Sequence, residues 1–244
     1  MLIELRLRPG QERLRRKTWS VALRCRIPLR CVHRVPHLSL YTPNAVTPAQ
    51  VAAARSALSA AGRRYRYLEC TIDGFGRGEG NEGHFIYYRV FPSEPLVNFR
   101  DDLARRLKSS CPSRKPFEAP GVPFLFHVTI AYRLSKKQAD KLWSSLTGAG
   151  PGCDGPVARV AAIMGRLLRL LHFGHRLGST DAVEPFHLHL FAVRVALIGE
   201  GQRIVCEYDL PHQRLLNRRE ALDRRGWSRS IETCRALRAT RNGM

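Results

Sequence analysis

Two short segments hold residues whose types and spacing could do chemistry together. PHLSLY, residues 36–41, places His37 two positions before Ser39, and FHVTIAY, residues 126–132, places His127 two positions before Thr129. The chain has nine histidines, 14 serines and nine threonines, so roughly one His-x-Ser/Thr arises by chance. Two such pairs occur in the same setting, apolar-His-apolar-hydroxyl-apolar, with Tyr41 or Tyr132 just beyond. Strand side chains alternate, so His37 and Ser39 share one face, as do His127 and Thr129, while Leu38 and Val128 point to the other. Taken singly, each pair also suits a histidine satisfied by a neighbouring hydroxyl on a sheet surface. Taken together they suit acid–base chemistry. A neutral imidazole accepts a proton, an imidazolium gives one, and two hydroxyls can donate to the non-bridging oxygens of a phosphate. Such a site needs no metal.

The elements that must position these residues are legible from pattern. LIELRLR (2–8) alternates as a half-buried strand, and residues 10–25 follow as a helix with Leu14, Trp19, Ala22 and Leu23 roughly on one side. PHLSLY is the next strand. Thr47 and Pro48 supply an N-cap and first helical position for a helix ending at Gly62. RYRYLECTI and HFIYYRVF read as strands joined by a flexible Gly-rich connection, DGFGRGEGNEG (73–83). A helix runs from Pro95 to about Ser109, then comes FLFHVTIAY, and Ser135 caps KKQADKLWSSL. The order β-α-β-α-β-β-α-β-α puts each His–hydroxyl strand before a capped helix, as in two related lobes. GAGPGCDGP (148–156) reads as a linker, and VARVAAIMGRLLRLLHF has helical spacing with Arg159, Arg166 and Arg169 on a common side. FHLHLFAVRVALI and RIVCEYDL read as a hairpin around Gly199–Gly201. A C-terminal helical segment follows, with Leu222, Trp227, Ile231 and Cys234 as its buried side.

At this point PHLSLY and FHVTIAY resemble the paired HxTx motifs, with Ser allowed for Thr, of the 2H phosphoesterase superfamily. The similarity is greatest to its LigT-like branch, the 2′-5′ RNA ligase or RNA 2′,3′-cyclic phosphodiesterase family. The separation of the histidines, 127 − 37 = 90 residues, and the helix, two strands and helix between them suit that fold. CEYDLPHQRLLNRREAL resembles a segment of archaeal-type members. The resemblance implies an α+β bilobal fold, two antiparallel sheets flanking a central cleft with helices outside. His37 and His127 would be the catalytic pair, with Ser39 and Thr129 as donors to the phosphate oxygens. One histidine would activate water against a 2′,3′-cyclic phosphate and the other would protonate the leaving ribose oxygen, leaving a 2′-phosphate. Ligation would be the same scheme reversed, without ATP. Ser39 departs from the usual threonine, keeping the hydroxyl and losing the methyl that restrains its rotamer.

Composition agrees with a polyanion as partner. The net charge is +21, carried by 35 arginines and six lysines spread along the chain. Arginine this dominant also suits a GC-rich genome. The seven cysteines (Cys25, Cys31, Cys70, Cys111, Cys153, Cys206, Cys234) form no CxxC pair and read as free thiols of a reducing cytosol. No secretory h-region and no run of about 18 apolar residues is present.

The expectation is therefore one bilobal domain over residues 1–244, with 147–186 as linker and insertion and 186–244 as hairpin plus helical segment. It is a cytoplasmic monomer with no membrane association, no metal and no cofactor. Its partner is RNA or a nucleotide bearing a cyclic phosphate or 2′-5′ linkage. Tyr41, Tyr132 and Phe75 are candidate base-stacking contacts, and Arg133 is a candidate phosphate contact if the strand stays regular that far. His187 and His189 share a strand face, and His172 and His175 a helix face, without an identifiable third metal ligand. The alternatives are a phosphodiesterase of a small cyclic nucleotide and a non-catalytic RNA-binding protein.

Overall fold

The computed structural model describes residues 1–8, 10–32, 35–45, 47–148 and 187–242. The expected helix bearing Arg159, Arg166 and Arg169, the pair His172 and His175, and Cys153 lie outside them.

Among the described residues nine strands form two antiparallel sheets. The first has the order β2-β1-β7-β8-β9, from β1 (Leu2–Arg6), β2 (His37–Tyr41), β7 (Arg194–Ile198), β8 (Ile204–Asp209) and β9 (Arg214–Asn217). The second has the order β5-β4-β3-β6, from β3 (Leu68–Gly80), β4 (Gly83–Pro92), β5 (His127–Leu134) and β6 (His187–Ala192). Among the described residues each His–hydroxyl strand is thus the edge of its own sheet. The two edges meet through an isolated bridge between Val32, just before β2, and Ala131 of β5.

Helices cover the outer faces. α1 (Gln11–Arg24) and α4 (Lys136–Thr147) pack on the second sheet, where Thr18 and Tyr88 share a buried hydrogen bond and Arg77 pairs with Asp140. α2 (Pro48–Gly62) packs on the first, against β7 and β8, and α3 (Glu94–Leu107) packs beside α2 and touches both sheets, at β2 and at β3 and β4. Thr47 and Ser135 cap α2 and α4 as expected, each completing a capping box with Gln50 or Gln138. Leu38, Leu40, Val128 and Ile130 are wholly buried beneath these helices. Each such side chain contributes about 1.5–3 kcal/mol of burial, so the motif strands are held from below and present their polar side upward.

Four expectations are corrected. The Gly-rich run is strand, because β3 continues to Gly80, which pairs with Gly83 across the turn at Asn81 and Glu82. FHLHLFAVRVALI is two strands rather than one. It leaves the second sheet at Ala192 and enters the first at Arg194, so Val193 crosses between the lobes. In α1, Leu23 is half exposed and Val21 takes its place in the core beside Leu14, Thr18 and Ala22. Leu222 is likewise exposed. The chain breaks at Asp223 between α5 (Arg218–Leu222) and α6 (Arg224–Asn242), and only the second of these buries Trp227 and Cys234.

Candidate active site

The register shows which side each motif residue takes. His37 lies opposite Arg6 and Ser39 opposite Glu4, whereas Leu38 lies opposite the buried Leu5. On the other sheet His127 lies opposite Arg89 and Thr129 opposite Tyr87, whereas Val128 lies opposite the buried Tyr88. Paired residues on adjacent strands point the same way. Both His–hydroxyl pairs therefore rise on the face away from the covering helices, on two strands that neighbour each other.

The two imidazoles are held alike. Nδ1 of His37 donates to the Val35 carbonyl at 2.9 Å, and Nδ1 of His127 donates to the Leu125 carbonyl at 3.0 Å. A carbonyl only accepts, so each Nδ1 carries a hydrogen and the exchangeable proton belongs to Nε2. Among the described residues neither Ser39 nor Thr129 hydroxyl has a hydrogen-bond partner. Each strand also carries a bulge directly after its hydroxyl residue. Ser39 and Tyr41 face Glu4 and Ile3, which are adjacent, so Leu40 is extra; Thr129 and Ala131 face Tyr87 and Ile86, so Ile130 is extra.

The electrostatic surroundings differ. Nε2 of His37 lies 3.6 Å from Oε2 of Glu4, which Arg6 holds at 2.7 Å. Burial lowers the pKa of His127 below the usual imidazole value. The Leu125 hydrogen bond opposes that, and positive charge on His37 and Lys115 adds to it. The two histidines are thus near enough to feel each other's charge. A hollow of about 600 Å³ opens on the His37 side, lined by Glu4, Arg6, Arg30, Val35 and Tyr132 among others.

The bulges redirect the residues beyond them. Tyr41, expected at the cleft, is turned by the Leu40 bulge opposite Ile3 into the core, where it is 3% exposed. Its hydroxyl donates to the Cys111 carbonyl and accepts from the Ser113 amide, which makes it a scaffold residue. Tyr132 keeps to the cleft and lines the hollow beside His37. Arg133 adopts φ 55° in an irregular stretch of β5, so strand alternation fails there, and its guanidinium is exposed and bidentate to Glu82 at 2.6 and 3.0 Å. Phe75 lies opposite Tyr88, with ring centroids 5.5 Å apart, on the helix-covered face rather than beside His127.

A row of planar groups that the sequence reading missed occupies the cleft face instead. On β4, Phe85, Tyr87 and Arg89 sit across from β3, and each lies over a glycine. A Cβ on Gly78 would come within 2.5 Å of the Phe85 ring, on Gly76 within 2.3 Å of Tyr87, and on Gly74 within 2.8 Å of the Arg89 guanidinium. Only a bare backbone lets these groups lie flat on the sheet. Phe85 and Tyr87 stack at 5.7 Å and 29°, and His127 closes the row 5.3 Å from Tyr87. The available signal was the spacing of Gly74, Gly76, Gly78 and Gly80, which has the period of a strand rather than of a loop.

A family model for the 2′-5′ RNA ligase superfamily matches residues 16–165. Two solved structures are similar at 13% identity. One is described as a phosphoesterase, with a TM-score of 0.40, covering 88% of this chain and 91% of its own. The other is Usb1 of Kluyveromyces marxianus, with a TM-score of 0.39, covering 80% of this chain and 91% of its own. No curated protein compared with the sequence matches it.

Proposed function

This chain belongs to the 2′-5′ RNA ligase superfamily, of 2H phosphoesterases, and from that premise we propose that it hydrolyses RNA phosphodiesters without a metal. The substrate is a 2′,3′-cyclic phosphate end or a 2′-5′ linkage. The observation that carries this reading is the matched pair of His–hydroxyl strands, both facing one side and both with Nδ1 tied to the carbonyl two residues upstream.

The chemistry balances with these groups alone. On a 2′,3′-cyclic phosphate, a water oxygen bonds to phosphorus while one Nε2 takes the water proton. The bond from phosphorus to the ribose 3′-oxygen breaks, and the other Nε2 hands its proton to that oxygen, leaving a 2′-phosphate. Ser39 and Thr129 donate to the non-bridging oxygens, where charge builds up in the transition state. With the 5′-hydroxyl of a second RNA end in place of water, the same sequence joins the two ends through a 2′-5′ linkage without ATP.

The Phe85–Tyr87 row supplies π-faces for bases, and Arg89 and Tyr132 flank the phosphate. The net charge of +21 favours RNA over a mononucleotide, because every phosphate neutralised releases counterions. We place the protein in the cytoplasm as a monomer; the described cysteines Cys25, Cys31, Cys70, Cys111, Cys206 and Cys234 are buried free thiols.

The test is hydrolysis of a nucleoside 2′,3′-cyclic phosphate and a 2′-5′ dinucleotide in EDTA, by wild type, His37→Ala and His127→Ala. Activity in EDTA that each substitution removes is the expected result. Activity abolished by EDTA, or surviving both substitutions, overturns the mechanism. Tight RNA binding without turnover by the wild type points instead to a binding protein.

A further inference from the structure

The open face of the second sheet continues past Arg89. Side chains alternate along β4, so Phe91 stands on the side of Phe85, Tyr87 and Arg89, while Ile86, Tyr88 and Val90 are buried on the other. Phe91 is 53% exposed, a phenyl ring left half in water. The register carries the face onward: Thr71 lies opposite Phe91, His189 opposite Thr71, and His187 opposite Asp73. His187 and His189 are both exposed on it, and among the described residues no three metal-ligating side chains gather there.

At the far end Glu69 lies opposite Phe191, and Arg238 of α6 pairs with Glu69 at 2.9 Å while covering the Phe191 ring at 4.9 Å. There a hollow of about 420 Å³ opens, lined by Arg64, Arg66, Tyr67, Glu69 and Ser93 among others. From Tyr87 to Ser93 the chain rises about 20 Å, the span of a few nucleotides. We propose that this face is a track for single-stranded RNA, holding the strand that continues from the reacting phosphate across Phe91 to the Arg64–Arg66 hollow. This rests on the phosphoesterase reading above and goes beyond it by making the substrate an oligonucleotide rather than a mononucleotide or dinucleotide.

The chemistry of the face fits that occupant. An exposed phenyl ring between two imidazoles offers π-faces on which any unpaired base stacks. Arg89 at one end, and Arg64 and Arg66 exposed at the other, supply positive charge for the phosphates between the bases. Of the acids on this face, Glu69 is neutralised by Arg238 and Asp73 stands beside His187. A duplex keeps its bases stacked on one another, so it could use the arginines but not Phe91.

The experiment compares a nucleoside 2′,3′-cyclic phosphate with a labelled oligonucleotide of about eight residues ending in the same group, by steady-state kinetics and by fluorescence anisotropy. Phe91→Ala is expected to raise KM and Kd for the oligonucleotide roughly 5- to 150-fold and to leave the mononucleotide unchanged. Arg64→Ala is expected to weaken oligonucleotide binding and to lower its salt slope by about 0.7. Leu23→Ala, equally exposed on α1, is the control and should change neither substrate. A Phe91→Ala variant impaired equally on both substrates puts the ring at the reacting end and overturns the track. So does an unchanged Phe91→Ala beside a weakened Arg64→Ala, which describes a polyanion patch only, or a duplex that binds as tightly as the single strand. In each of these cases turnover of the mononucleotide leaves the phosphoesterase reading intact. A wild type that turns over neither substrate but binds the oligonucleotide through Phe91 sinks that reading and keeps the track; one that does neither sinks both.

Discussion

Tyr87 meets His127 edge to face, with ring centroids 5.3 Å apart and planes at 63°. The tyrosine lies flat over Gly76 on β3 and stacks on Phe85, so the imidazole is the last member of a packed aromatic row. A surface suited to a base is thereby joined rigidly to one of the groups proposed to move a proton. The relationship depends on a glycine that contributes no side chain at all.

Removing the tyrosine face should therefore weaken substrate binding more than chemistry. Tyr87→Ala is expected to raise KM roughly 5- to 150-fold, the scale of losing about 1–3 kcal/mol of stacking, with Tyr87→Phe near wild type. Gly76→Ala should act likewise, because its Cβ would lie 2.3 Å from the Tyr87 ring, whereas Gly80→Ala meets nothing within 4 Å and serves as control. Steady-state kinetics on a dinucleotide decide it; an unchanged KM in both Tyr87→Ala and Gly76→Ala removes the stacking role.

The pH profile should reflect the depressed pKa of His127. Where His127 serves as the base it must be neutral to act, and it is neutral above its pKa. With that value below the ordinary 6.5, activity should persist under pH 6.5 and fall only as pH drops through the lower value. Lys115→Met takes away a nearby cation and should move the acid limb upward. A limb centred above 6.5 in the wild type contradicts the environment described for His127.

Tyr41 and Ser39, two positions apart, should separate stability from turnover. Tyr41→Phe leaves the Ser113 amide without its acceptor in a buried region, a loss of about 1–3 kcal/mol in unfolding free energy with kcat unchanged. Ser39→Ala and Thr129→Ala should each lower kcat about tenfold or more with little change in melting temperature. Denaturant melts beside single-turnover rates distinguish the two classes, and a Tyr41→Phe variant that is stable but inactive reverses the scaffold assignment.

Arg194 is wholly buried, with Glu207, Asp209 and Ser230 as partners and the Trp227 ring 4.3 Å away. Arg194→Met strands two buried carboxylates and should cost about 3–5 kcal/mol. The loss should be partly recovered by Glu207→Gln in the same chain. Thermal melts of the single and double variants measure the coupling, and additive losses mean that Arg194 and Glu207 do not act as a unit.

Much of the fold was legible because it rests on local rules. The alternation of LIELR, the Thr47-Pro48 and Ser135 caps, and the apolar spacing of the helices each fix an element with no knowledge of its neighbours. The Gly-rich run misled because glycine is read as flexibility, whereas its period of two was set by the planar groups of the strand opposite. Val193 gave no sign of a crossing, since one apolar run serves equally as a single strand or as two strands in different sheets.

The sequence by itself determined the chemistry on offer: two histidines, each with a hydroxyl two residues on, necessarily sharing a face because strand side chains alternate. Which residues join them was decided only by tertiary structure. A bulge is a mismatch between two strands and has no existence in one of them, so neither the turning of Tyr41 into the core nor the break before Arg133 could be read from PHLSLY or FHVTIAY. Glu4 lies 33 residues before His37 and Tyr87 lies 40 before His127, and only pairing across the sheets brings each to its histidine.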